Sequence, residues 1–174
     1  MTNTAEKIIE KSLAQNGKES AVTINPDTQS ISMTIKGDKE ETGTMDIQVG
    51  EESASMVIRG ENGNMEMLTG ANAGIPANFP KDIPLHSSLK VNMSINDGAT
   101  GFTLQTSSNE KFETLVDYYQ KESTKLGWEE QMNMLQNPDA PMQMMIYKKD
   151  KRIMNIIVQQ AEESVGVTIT ASQE

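Results

Sequence analysis

From Val22 onward the chain alternates. Apolar residues stand at Val22 and Ile24, at Ile31, Met33 and Ile35, at Met45, Ile47 and Val49, at Ala54, Met56 and Ile58, and at Met65 and Met67, with polar neighbours between them. A period of two places each set on one side of a pleated strand. Asn25-Pro26-Asp27-Thr28 and Asn62-Gly63 supply turn chemistry between strands, so the pattern predicts an antiparallel meander with one apolar face. Ahead of it, Ala5, Ile8, Ile9 and Leu13 recur at helical spacing, behind an Asn3 cap with Glu6 three positions on and before an Asn16-Gly17 stop. That predicts one short helix.

The second half alternates at Leu89, Val91, Met93 and Ile95, turns at Asp97-Gly98, and resumes at Phe102 and Leu104. Ser107 with Glu110 then reads as a capping box for a helix whose apolar stripe is Phe112, Leu115, Val116 and Tyr119, closed by Leu126 and stopped by Gly127. Strands are expected again from Trp128 through Met132 and Met134, and over Met142–Tyr147, Ile153–Val158 and Val165–Ile169. Their breaks fall at Pro138-Asp139-Ala140-Pro141 and Glu162-Glu163-Ser164. The order is ββαββββ. A helix laid on one face of an antiparallel sheet buries both stripes, which makes the expected class α+β, with one helix for each of two sheets.

All seven aromatic residues, Phe79, Phe102, Phe112, Tyr118, Tyr119, Trp128 and Tyr147, lie beyond residue 78. The larger core is therefore expected in the second half. Pro76, Pro80 and Pro84 recur every fourth residue between Ile75 and Leu85, which excludes regular helix and favours an extended connector. Two domains are expected: 1–74, a helix plus meander, and 75–174, an α+β unit entered through the proline-rich connector 75–88. An aromatic-free unit of that size has a thin core and sits near the lower limit of independent stability.

Composition mostly subtracts functions. A net charge of −10 repels phosphate backbones and anionic lipid heads, so nucleic acid is not an expected partner. The basic run Lys148-Lys149-Asp150-Lys151-Arg152 reads as a charged hairpin tip. With no cysteine there can be no disulfide, thiolate metal site or cysteine nucleophile, and with His86 the only histidine no histidine pair can hold a metal. No cofactor motif occurs. The opening Thr2-Asn3-Thr4-Ala5-Glu6-Lys7 lacks the cationic start and apolar stretch of a signal peptide.

What chemistry remains is sparse. Thirteen methionines include three pairs at i, i+2 spacing, Met65/Met67, Met132/Met134 and Met142/Met144, each on one face of a strand. Thioethers can bind Cu(I), but they also fill cores in place of aromatics, and no metal site is assigned. Asp38, Glu40 and Glu41, like Glu51 and Glu52, lack the order of a calcium loop. Ser87 or Ser88 beside His86 has no nucleophile elbow, so no catalytic residue is assigned. The connector is the candidate contact surface, with Phe79, Asp82 and His86 as its reading groups.

Two segments together resemble a broad family of poorly characterised bacterial envelope lipoproteins: Phe79-Pro80-Lys81-Asp82-Ile83-Pro84-Leu85 ahead of a hairpin, and Tyr118-Tyr119-Gln120-Lys121 running to Leu126-Gly127-Trp128. The resemblance spans roughly the last hundred residues. It implies a lipid-modified cysteine upstream and hence an extracytoplasmic domain that meets the membrane only through that anchor. Pro84, Gly127 and Trp128 are then fold determinants. The functional expectation is a non-enzymatic, cofactor-free envelope domain that binds another envelope protein or itself. The alternatives are a hydrolase using paired carboxylates and metal handling through methionine.

Overall fold

The computed structural model describes residues 19–36, 42–60, 63–98, 101–136 and 140–173. They form two compact units, one drawn from Met1–Asn72 with Asp97–Ala99, the other from Ala73–Asn96 with Thr100–Glu174. The helix expected over Ala5–Leu13, its cap and its stop lie outside the described residues, as do Asn62, Pro138 and Asp139.

The first unit is a sequential antiparallel meander of β1 (Glu19–Asn25), β2 (Ser30–Lys36), β3 (Thr42–Val49), β4 (Ser53–Gly60) and β5 (Gly63–Gly70). Register puts the apolar residues in rows across it. Val22 stands opposite Met33, Met33 opposite Met45, Met45 opposite Ile58, and Ile58 opposite Met65. A second row runs Ile24, Ile31, Ile47, Met56 and Met67. Directly opposed residues share a face, so both rows line the same side. Among the described residues of this face only Val22 is fully buried, and Ile31 is exposed. The opposite face is mostly polar, though Val57 and Leu68 lie on it, and there Asp46 accepts from Ser32 and pairs with Arg59 at 2.6 Å.

The second unit carries β6 (Lys90–Asn96), β7 (Gly101–Ser108), helix α1 (Phe112–Lys125), β8 (Glu129–Gln136), β9 (Met142–Lys149), β10 (Arg152–Gln160) and β11 (Val165–Gln173). Its strands lie in the order β6-β7-β11-β10-β9-β8, all antiparallel. Helix α1 takes the chain from β7 to the far edge, and the meander β8–β11 then returns until β11 seats between β10 and β7.

Alternation decides which side is core. Met145 and Tyr147, then Met154, Ile156 and Val158, then Val165, Val167 and Ile169 are buried, while the residues between them are partly exposed. Onto this face α1 brings Phe112, Leu115, Val116 and Tyr119, and Trp128 fills beside them. Each such large side chain contributes about 1.5–3 kcal/mol of burial.

Two expectations are corrected. The α+β class, with a helix for each sheet, gives way to a largely all-β molecule, because the described residues form eleven antiparallel strands and a single 14-residue helix. Among the described residues period-two alternation prevails and the 3.6 period is confined to one segment, so the described helix is a cap on one unit's sheet. The capping box also fails. Ser107 ends inside β7, the helix starts after Lys111 without a side-chain cap, and Ser108 accepts the Glu110 N–H at 3.0 Å. The basic run is the expected charged hairpin tip, turning at Asp150-Lys151 between β9 and β10, and the Lys149 and Arg152 that flank the turn are each only about a quarter exposed and face a carboxylate.

The helix stop follows the sequence. Gly127 sits at φ +82°, its N–H donates to Thr124 O at 3.0 Å, and Trp128 N–H donates to Ser123 O at 3.0 Å. This paired pattern satisfies two orphan carbonyls of the last turn.

Candidate functional site

The connector is woven into the second unit. Ile83 and Pro84 are buried, and Phe79 packs edge-on against Phe102 with ring centroids 5.5 Å apart. The expected extended connector is instead a series of tight turns, Phe79 N–H donating to Pro76 O at 2.9 Å and Ile83 N–H to Pro80 O at 3.2 Å, and the carbonyls these turns leave over are open to side chains. Trp128 donates its indole N–H to Asp82 O at 2.7 Å, and Tyr118 donates its hydroxyl to Leu85 O at 2.9 Å.

Asp82 is the charged knot of this strap. Lys149 reaches its Oδ2 at 2.8 Å, and Arg152 grips both carboxylate oxygens, Nη1 at 3.0 Å from Oδ1. Lys149 also donates to Leu126 O at 2.8 Å, at the negative end of α1. The Arg152 guanidinium lies 5.0 Å from the Trp128 ring centroid and the Lys149 ammonium 6.0 Å, within cation–π range. Arg152's hydrogen bonds, more than any other influence, hold the Asp82 carboxyl far below the usual range. With its oxygens committed to two cations, Asp82 locks strap, helix end and the β9–β10 turn together.

His86 has a different surround. Its Nδ1 accepts from the Ser88 N–H at 3.2 Å and lies 2.7 Å from Ser88 Oγ, which in turn stands 2.6 Å from Ser108 Oγ. The Ser88 N–H on Nδ1 makes Nε2 the protonated nitrogen of the neutral ring. The ring meets Tyr118 edge-on at 4.7 Å. The structure therefore gives His86 serine partners on Nδ1, where a triad base would hold its orienting carboxylate. Phe79, Asp82 and His86 share one strap but each faces its own neighbours, and no contact joins them.

Beneath the strap is an apolar crevice of about 220 Å³, lined by Ile75, Leu85, His86, Leu89, Val91 and Leu104. That is below the roughly 300 Å³ at which ligand pockets begin. Deeper in the unit, the Tyr119 and Ser123 hydroxyls are buried without a partner in hydrogen-bond geometry, and burial pushes the Tyr147 phenol up to about 12. These groups keep the helix–sheet interface neutral.

Sequence reasoning missed a feature at the opposite edge. Among the described residues β8 pairs with β9 alone and ends the strand order. Met132, Met134 and Leu135 on it are 43%, 42% and 58% exposed. Register sets Met134 directly opposite Met144 and Met132 opposite Ile146, so two of the methionine pairs meet on one face. That face is turned away from Met145 and Tyr147, which lie under α1. The third pair, Met65/Met67, belongs to the apolar face of the first unit. Among the described residues, no three acidic or histidine side chains gather as a metal-holding group, and no helix is long and apolar enough to cross a membrane.

Comparison with family models, with curated proteins and with solved structures gave no match.

Proposed function

We propose that this chain is the folded part of a bacterial envelope lipoprotein, non-enzymatic, held extracytoplasmically by a lipid anchor upstream, and working by binding another polypeptide through an exposed sheet edge. The observation that carries the reading is β8: an edge strand with open backbone groups and three exposed apolar side chains. Such edges recruit strands, because a further strand satisfies the backbone while its side chains set the choice of partner. The anchoring half of the reading rests on the resemblance carried by Phe79–Leu85 and Leu126-Gly127-Trp128, whose residues are here the strap and its anchor.

Intact-mass analysis and membrane fractionation of the protein from its source cell test the anchor. An acylated cysteine upstream of Thr2 supports the tethered reading; an unmodified chain in the cytosolic fraction overturns it.

A further inference from the structure

We infer that β8 is a self-recognition edge: two copies of this chain join by antiparallel β8–β8 pairing about a two-fold axis at Met134. The inference rests on the edge-binding half of the proposed function and names its partner and register.

Soluble proteins guard edge strands with lysine, proline, bulges or covering loops. Glu129–Gln136 contains no lysine, arginine or proline. Among the described residues its one guard is the register shift between Glu130 and Met132, a bulge that ends regular pairing at Gln131. Beyond the bulge, Met132-Asn133-Met134-Leu135-Gln136 is a run of five residues in unbroken register with β9 and without a charge. A five-residue strand pairs with its own copy antiparallel only about its middle residue if all five are used. That residue is Met134.

Charge then chooses the direction. Every copy carries −10, and the strand's own charges are the adjacent Glu129 and Glu130. Parallel pairing would lay these glutamates side by side, where like charges directly opposed destabilise a sheet. Antiparallel pairing sends them to opposite ends of the ladder, beyond the bulge. In that arrangement Met134 faces Met134 of the second copy, Met132 faces Gln136, and Asn133 faces Leu135. Opposed residues share a face, so the methionines of both copies continue the row that Met144 and Ile146 begin on β9. A second copy meets every position with an uncharged residue on the correct face, and the interface is isologous, so it closes at two.

The absence of cysteine from the chain makes the register directly readable, since an introduced thiol is the only one present. Met132→Cys, Met134→Cys and Gln136→Cys are prepared in the whole chain and oxidised at equal concentration. Met134→Cys should form its own disulfide about tenfold faster than Met132→Cys does, because only the axial position brings Cβ atoms within disulfide reach. A mixture of Met132→Cys and Gln136→Cys should crosslink as the heterodimer. Sedimentation of the unmodified chain should show a dimer that tightens as salt screens the repelling charges, and Met134→Lys should be a monomer with an unchanged circular dichroism spectrum.

An unmodified chain that stays monomeric overturns self-recognition. So does a dimer whose Met132→Cys variant crosslinks to itself as fast as Met134→Cys, or one that Met134→Lys leaves intact, since either means another register or another surface. The anchor and fractionation results are independent of these outcomes, so failure here is distinguishable from failure of the lipoprotein reading.

Discussion

Asp82 and Trp128 show how few residues hold the strap. Because the folded-state value of Asp82 lies below the unfolded one near 3.9, the stabilisation it supplies is complete above about pH 4 and is lost as pH falls toward the folded value. Asp82→Asn should therefore lower stability by about 1–3 kcal/mol at pH 7, less than a fully buried ion pair would lose because these side chains are a quarter exposed. It should also flatten the acid limb of the stability profile; denaturant unfolding at pH 7 and at pH 3 measures both. Trp128→Ala removes a side chain only 2% exposed together with its bond to Asp82 O, and should cost about 3–5 kcal/mol in the same assay. The sequence marks Asp82 as a candidate contact residue and Trp128 as core. That Asp82 serves two cations is invisible in it, since Lys149 and Arg152 stand 67 and 70 residues away.

At the scale of elements, glycines separate what is local from what is packed. Gly127 and Gly70 both have positive φ, +82° and +66°. A Cβ at Gly127 would meet nothing closer than Lys149 Cε at 3.8 Å, so Gly127→Ala should cost only its strained backbone, about 1–2 kcal/mol. At Gly70 a Cβ would fall 1.9 Å from the Glu52 carbonyl oxygen, which accepts the Ala71 N–H, so Gly70→Ala should be the more damaging change. Thermal melts of the two variants decide the order. Gly127 is legible as a stop because it ends an apolar helical stripe. The start of the same helix is not, because Ser107 belongs to a strand whose pairing with β11 outweighs a capping motif. The strands themselves follow alternation closely, as period two is a local property of the pleat.

For the whole molecule, the described core is unevenly distributed: nearly all fully buried apolar side chains lie in the second unit, and Val22 represents the first. Hydrogen exchange should thus find the amides of β9, β10 and β11 protected longest and those of β1 to β3 exchanging sooner; uniform protection would contradict it. The chain from Ala73 to Glu174 should fold alone, with a cooperative melt and native Trp128 fluorescence. By itself the sequence determined the strands, the buried face of α1, its glycine stop and the aromatic bias toward the second half, because periodicity and backbone preference act over a few residues. Only the tertiary structure decided that β11 inserts between β7 and β10, that Asp82 gathers Lys149 and Arg152, and that β8 is left at an edge with its methionines exposed. Those outcomes depend on which distant segments pair, and pairing is chosen by the packing of the whole sheet, which no short stretch of sequence encodes.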